Sequence, residues 1–142
     1  GGTGYLRRND VKKTREVTFS RQAIVDEAAR FMGLPYLWSG TASYGFDCSG
    51  FTMRLYQSQG VAIPRDADDQ AARGVAVARQ DLLPGDLVFF AARKGRDRVH
   101  HVGMYAGGGM MIHAPNSKSP VRTDAVDSGK YGEEYHGAGR YA

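Results

Sequence analysis

A chain of 142 residues that is 42% hydrophobic and 24% charged is long enough to bury one sizeable core without a disulfide or metal staple. Its single cysteine, Cys48, excludes an internal disulfide, and no run of about 18 apolar residues offers a helical membrane span. The 19 Lys and Arg against 15 Asp and Glu leave a formal charge of +4, but they are scattered, which excludes the dense basic stripe of a nucleic-acid binder and leaves a mild attraction to anionic polymers.

Residues 1–19 carry little apolar periodicity. Gly4 to Arg8 predict a short strand, and Lys12, Lys13 and Arg15 a polar linker. The chain starts at Gly1 with no charged-then-apolar leader, as expected of a processed secreted chain or a piece of a longer protein. Ser20 is a natural N-cap, and Ile24, Ala28 and Phe31 follow at helical spacing before Gly33, which predicts a helix over 21–32. Residues 33–47 read as a loop of glycine, serine and aromatics. A second helix is expected to start near Cys48, with Phe51, Leu55 and Tyr56 as its apolar stripe and Gly60 as its stop. Pro64 is expected to open a short polar helix reaching about Arg73, ahead of Gly74.

The pattern then changes. Pro84-Gly85 predicts a turn and residues 86–90, Asp-Leu-Val-Phe-Phe, a buried strand. Arg93 to Arg98 form a charged loop. Val99 to Tyr105 and Met110 to Ala114 read as two strands of a hairpin around Gly107-Gly108-Gly109. Beyond Pro115 the chain is polar until Tyr135-His136, which together with the final Gly-Arg-Tyr predicts one last strand. Helices first and antiparallel strands afterwards define an α+β domain.

Cys48 falls where a loop meets a helix start. The positive end of the helix dipole stabilises a thiolate there, although a cysteine in a first turn is also a common core residue. A thiol nucleophile needs a base that later protonates the leaving group, and histidine suits both tasks near neutral pH. Four histidines are available, His100, His101, His113 and His136. His100 and His101 are neighbours on one strand and face opposite ways, so at most one points at the nucleophile. A three-residue hairpin loop at Ala106–Gly108 sets His101 directly opposite His113, with Cβ atoms about 4.5–5.5 Å apart, so that His113 orients the imidazole of His101. Any odd loop length keeps those two on one face, and an even one puts His100 there instead. His100 is expected to face solvent. Before Cys48, Tyr36 and Trp38 read as core plugs. Asp47 serves as N-cap of the helix and also places a carboxylate where a substrate amine can dock.

These residues resemble the NlpC/P60 family of cysteine peptidases. The matching segments are Pro35-Tyr36-Leu37-Trp38-Ser39-Gly40, Phe46-Asp47-Cys48-Ser49-Gly50-Phe51 and Ile63-Pro64-Arg65. They continue with Pro84-Gly85-Asp86-Leu87-Val88-Phe89-Phe90, His101-Val102-Gly103-Met104-Tyr105 and Met111-Ile112-His113-Ala114. The resemblance implies a papain-like α+β fold, N-terminal helices packed on an antiparallel sheet with the nucleophile at a helix N-terminus. It implies hydrolysis of peptidoglycan stem peptides, typically between γ-D-glutamate and a diamino acid. Carried over position by position, Cys48 is the nucleophile, His101 the base and His113 the residue that orients it. Tyr36, Asp47 and Ser49 contact substrate, and the backbone N–H of Cys48 donates to the oxyanion. No metal or organic cofactor is expected. Muropeptides are the partners, the chain is expected to be a monomer, and its place is extracellular, periplasmic or wall-associated. Ser39 replaces a usual second glycine, and Asp66-Ala67 a frequent Thr-Ser, departures that bear on peptide preference. Residues 4–11 are similar to the closing strand of bacterial SH3-like wall-binding modules. The expected organisation is therefore a linker or module end over 1–19 and a catalytic domain over 20–142. Competing readings are a zinc site built from Cys48, His101 and His113, a wall-binding module without catalysis, and an amide transferase on the same residues.

Overall fold

The computed structural model describes residues 19–32, 48–92, 98–115 and 120–141. The strand expected at 4–8 and the loop over 33–47 lie outside the described residues. Helix α1 spans Arg21–Arg30, capped as its sequence predicts: the Ser20 hydroxyl accepts from the Ala23 N–H at 3.1 Å. Ile24 and Ala28, four apart, are fully buried. The helix ends two residues before the expected 32, because Phe31 closes it and Met32 is drawn into a parallel bridge with Val121.

Helix α2 spans Cys48–Ser58 and buries Phe51, Thr52, Leu55 and Tyr56. Gly60 ends it with φ +77°, a left-handed conformation that only glycine adopts without cost, and the Val61 N–H folds back onto the Tyr56 carbonyl. Helix α3 spans Ala67–Arg73. Pro64 does not open it. The chain bends at Arg65 and Asp66 after the proline, and the Asp66 carbonyl accepts from the Gln70 N–H at 2.8 Å to close the first turn.

Strand β1 (Val75–Val77) and a 3-10 turn (Arg79–Asp81) follow. The sheet continues with β2 (Leu87–Ala91), β3 (Val99–Gly107), β4 (Met110–His113) and β5 (Arg122–Ala125), then helix α4 (Gly129–Glu134) and strand β6 (Tyr135–Arg140). The six strands lie in the order β1-β6-β2-β3-β4-β5 and every strand pair is antiparallel. Strand β2 lies inside the sheet and all five of its residues are buried, as its unbroken apolar run requires. Its side chains alternate. Leu87 and Phe89 join Val102, Met104, Ile112 and the apolar stripes of α1 and α2, whereas Val88 and Phe90 join Met111, Val126 and Tyr135 on the other face. Each such side chain contributes roughly 1.5–3 kcal/mol by leaving water.

Asp86, fully buried, ties the helical layer to the sheet. It accepts from Arg21 at 3.1 Å, from Arg140 at 2.9 and 2.8 Å, and from the Leu83 N–H at 2.9 Å. Burial alone pushes its carboxyl pKa up, but the hydrogen bonds from Arg140, Leu83 and Arg21 outweigh that and hold it below the usual value.

The hairpin joining β3 and β4 departs from the expected register. Its turn is the pair Gly108-Gly109, both with positive φ, between the partners Gly107 and Met110. A two-residue turn on its own would have set His100 on the face of His113. Ala106 is an extra, bulged residue in β3, and this restores the parity. Tyr105 therefore pairs with Met111 and Met104 with Ile112. His101 is not directly opposite His113. It shares a face with it and meets it diagonally, across Gly103.

Candidate active site

Cys48 is the first residue of α2 and is partly exposed. Its sulfur lies 3.9 Å from the carbonyl oxygen of His100, the peptide group that leads into His101. The start of α2 is thus seated against β3. Buried Gln70 of α3 anchors this turn. Its amide donates to the Ser49 carbonyl at 3.0 Å and to the Pro64 carbonyl at 2.8 Å, while its oxygen accepts from Thr52 at 2.8 Å. Ser49 follows Cys48 and is itself buried, its hydroxyl accepting from Arg65 at 3.0 Å. Tyr36 and Asp47, with Trp38 and Ser39, lie outside the described residues.

His101 Nε2 and His113 Nδ1 are 2.7 Å apart, and both rings are buried. Gly103 makes this approach possible: a Cβ there would sit 3.2 Å from the His113 Cβ and 2.7 Å from the Met111 sulfur. His113 Nε2 reaches onward to Asp124 Oδ2 at 2.7 Å, and Arg122 Nε donates to the same oxygen at 2.8 Å. Tyr131 of α4 covers the pair, its ring centroid 6.0 Å from that of His101 and 5.3 Å from that of His113.

Burial, then the nearby His113, His100 and Lys130, lowers the pKa of His101 to about 3, with Asp124 opposing weakly. Burial also lowers the pKa of His113, against the pull of Asp124. The site therefore holds two neutral imidazoles in contact, on and beside the strand whose His100 carbonyl meets the Cys48 sulfur. Their facing nitrogens are turned to each other. Among the described residues no group of three His, Cys, Asp or Glu is placed to hold a metal ion. His100 is the extra residue where the ladder shifts between His101 and Val99; it is half-exposed, and its Nε2 lies 3.1 Å from Glu134 of α4.

Four residues at or behind the site were not expected from the sequence. Arg122 and Asp124 have a period-2 signal that places them on one face of β5. Gln70 shares a face with Ala67 at i, i+3. Tyr131 sits in a short helix with two glycines and offers no local signal.

The helices packed on an antiparallel sheet form the papain-like α+β fold. The NlpC/P60 family model matches residues 33–140, and the chain belongs to that family of cysteine peptidases. It is 45% identical, over 99% of its own length and 40% of the relative's, to a gamma-D-glutamyl-L-lysine dipeptidyl-peptidase of Bacillus cereus. A protein of the same name from Bacillus subtilis is 42% identical, over 84% of this chain and again 40% of the relative. The chain thus spans about two fifths of these relatives. Among solved structures, an NlpC/P60 family protein from Bacillus cereus superposes with a TM-score of 0.80 at 47% identity, over 87% of this chain and 41% of that one. The NlpC/p60 domain of the peptidoglycan hydrolase SagA superposes with a TM-score of 0.68 at 33% identity, over 86% of this chain and 99% of that domain.

Proposed function

We propose that this domain is a cysteine endopeptidase that hydrolyses peptidoglycan stem peptides at the bond between γ-D-glutamate and the following diamino acid. The observation that carries it is the Cys48 sulfur at the start of α2, 3.9 Å from the carbonyl of His100 on β3, where the following His101 is buried and backed by His113. Cys48 gives its proton to His101 and its sulfur attacks the γ-carbonyl. The Cys48 N–H at the helix start stabilises the oxyanion. His101 passes the proton to the leaving amine, which departs as the C–N bond breaks and leaves a thioester. Water, deprotonated by His101, releases the acid. A neutral His101 presents a lone pair to the thiol, and the charge of Asp124 opposes the burial that disfavours its imidazolium.

The names of the two Bacillus relatives pair γ-D-glutamyl with L-lysine, which supports L-lysine as a diamino acid this site accepts. Asp47 is assigned to the substrate amine, and Tyr36 and Ser49 to the peptide. We assign residues 1–19 to a linker from an upstream SH3-like module, residues 20–142 to the catalytic domain, and the protein to the wall or the space outside the cytoplasmic membrane, acting as a monomer. The test is incubation with L-Ala-γ-D-Glu-L-Lys and with its diaminopimelate counterpart, followed by mass spectrometry, beside Cys48→Ala. Cleavage after D-Glu by the wild type alone is expected. Retained cleavage by Cys48→Ala refutes the mechanism.

A further inference from the structure

We infer that Asp124, braced by Arg122, is a positioning residue that sets the tautomers of both histidines and thereby selects Nδ1 of His101 as the basic nitrogen. The inference rests on the cysteine–histidine reading above.

The argument is a count of protons along a chain of contacts. Asp124 Oδ2 lies 2.7 Å from His113 Nε2, and a carboxylate only accepts, so the proton on that line belongs to His113 Nε2. Burial pulls the Asp124 pKa upward, but hydrogen bonds from His113 and Arg122 more than offset this and keep it ionised. His113 is neutral, since its burial opposes a second proton. Its Nδ1 is then a bare lone pair, 2.7 Å from His101 Nε2. A contact that short needs one proton between the two nitrogens, and His113 does not supply it. His101 Nε2 therefore carries it, and the unprotonated nitrogen of His101 is Nδ1. When His101 takes up the thiol proton, its Nε2–H already points at an acceptor, so the imidazolium forms without rearrangement.

Arg122 has a separate task. It donates to the oxygen that His113 also uses, at 2.8 Å, and so fixes which oxygen faces the ring. The strand register supports this geometry: His113 pairs with Arg122 and Met111 with Asp124, which puts Arg122, Asp124 and His113 on one face of β4 and β5. The other ionisable groups around the pair are Tyr131, Lys130 and Glu134 on α4 and His100 on β3. None of them is within hydrogen-bond reach of His113 Nε2 among the contacts of the described residues.

The experiment joins kinetics with long-range 15N–1H spectra of the histidine ring nitrogens, on wild type, Asp124→Asn and Asp124→Ala. In the wild type both His101 and His113 are expected as Nε2–H tautomers. Asp124→Ala removes the acceptor. It is expected to lower kcat on the order of 100-fold with KM changed less than about twofold, and to give His113 a mixed tautomer signal. Asp124→Asn keeps an oxygen that Arg122 selects, and is expected to recover most of the lost kcat and the wild-type ring spectrum. A wild-type His113 found as Nδ1–H overturns the inference, even where no variant folds. So does an Asp124→Ala protein whose ring spectrum matches the wild type, whatever its kcat. The spectra do not depend on turnover, so a wild type with the expected tautomers that leaves the peptide uncut refutes the peptidase reading and spares this one.

Discussion

Gly103→Ala is a one-carbon change that strikes the relation between the two histidines. The added Cβ would stand 2.7 Å from the Met111 sulfur and 3.2 Å from the His113 Cβ, where ordinary carbon contacts fall at about 3.5–4.0 Å. The Met111 thioether has rotamers with which to retreat, but it is fully buried, so it retreats into occupied space. His113 Cβ is fixed to β4, and relief there comes only from spreading the strands by several tenths of an ångström. Overpacking of this kind costs about 1–3 kcal/mol, which lowers Tm by about 3–10 °C in a domain of this size. The same spreading lengthens the 2.7 Å link between His101 and His113. Misplacement approaching 1 Å costs up to about 100-fold in rate, so a fall in kcat of roughly 10- to 100-fold is expected with KM little changed. Thermal melts and steady-state cleavage of L-Ala-γ-D-Glu-L-Lys read both effects. A variant with the wild-type Tm and kcat would refute the claim that glycine is needed for the two rings to meet.

Other consequences follow from the same contacts. Gln70→Leu abolishes three hydrogen bonds, two to the start of α2 at Ser49 and Thr52 and one to Pro64, and is expected to destabilise by about 3 kcal/mol in denaturant titration while also lowering kcat. Asp86→Asn leaves Arg21 and Arg140 facing a neutral amide, costing about 3 kcal/mol at pH 7. Because the native Asp86 pKa lies below its unfolded value, that contribution is full above about pH 4. The Tm gap between wild type and variant should therefore close as pH falls further. The native pKa of His101 is also lowered, to about 3, so unfolding takes up a proton between there and the ordinary imidazole value. Wild-type Tm should fall as pH drops from 7 towards 4, and His101→Gln should flatten that slope. A slope unchanged by the substitution would show that His101 is not buried as a neutral ring.

The elements legible in the sequence are those with strong local signals. The Ser20 cap, the Phe51–Leu55–Tyr56 stripe and the continuous apolar run of β2 each follow from one local rule. The rest was hidden for physical reasons. Strand β1 exposes Val75, β5 is a polar edge segment reading Arg-Thr-Asp-Ala, and α4 contains two glycines and no buried residue. Strands β1 and β5 take their structure from pairing with β6 and β4, which local patterns do not carry. Pro64 marked a turn before α3 rather than its first residue, because Asp66 takes the capping position. In the hairpin, the shared face of His101 and His113 was legible as a parity, but turn length alone gave the wrong register, since the bulge at Ala106 offsets the two-residue turn. Cys48, His101 and His113 were singled out by chemistry and resemblance together. Asp124 escaped because a charged residue on an edge strand looks like ordinary solvated surface until its neighbour across the ladder is a buried histidine.

The most direct test of the central claim is an intact-mass spectrum of the protein mixed briefly with L-Ala-γ-D-Glu-L-Lys and quenched in acid. The expected result is a population carrying the L-alanyl-γ-D-glutamyl acyl group, mapped by peptide digestion to Cys48 and missing from Cys48→Ala. Cleavage of the peptide with no adduct, undiminished in Cys48→Ala, would contradict it.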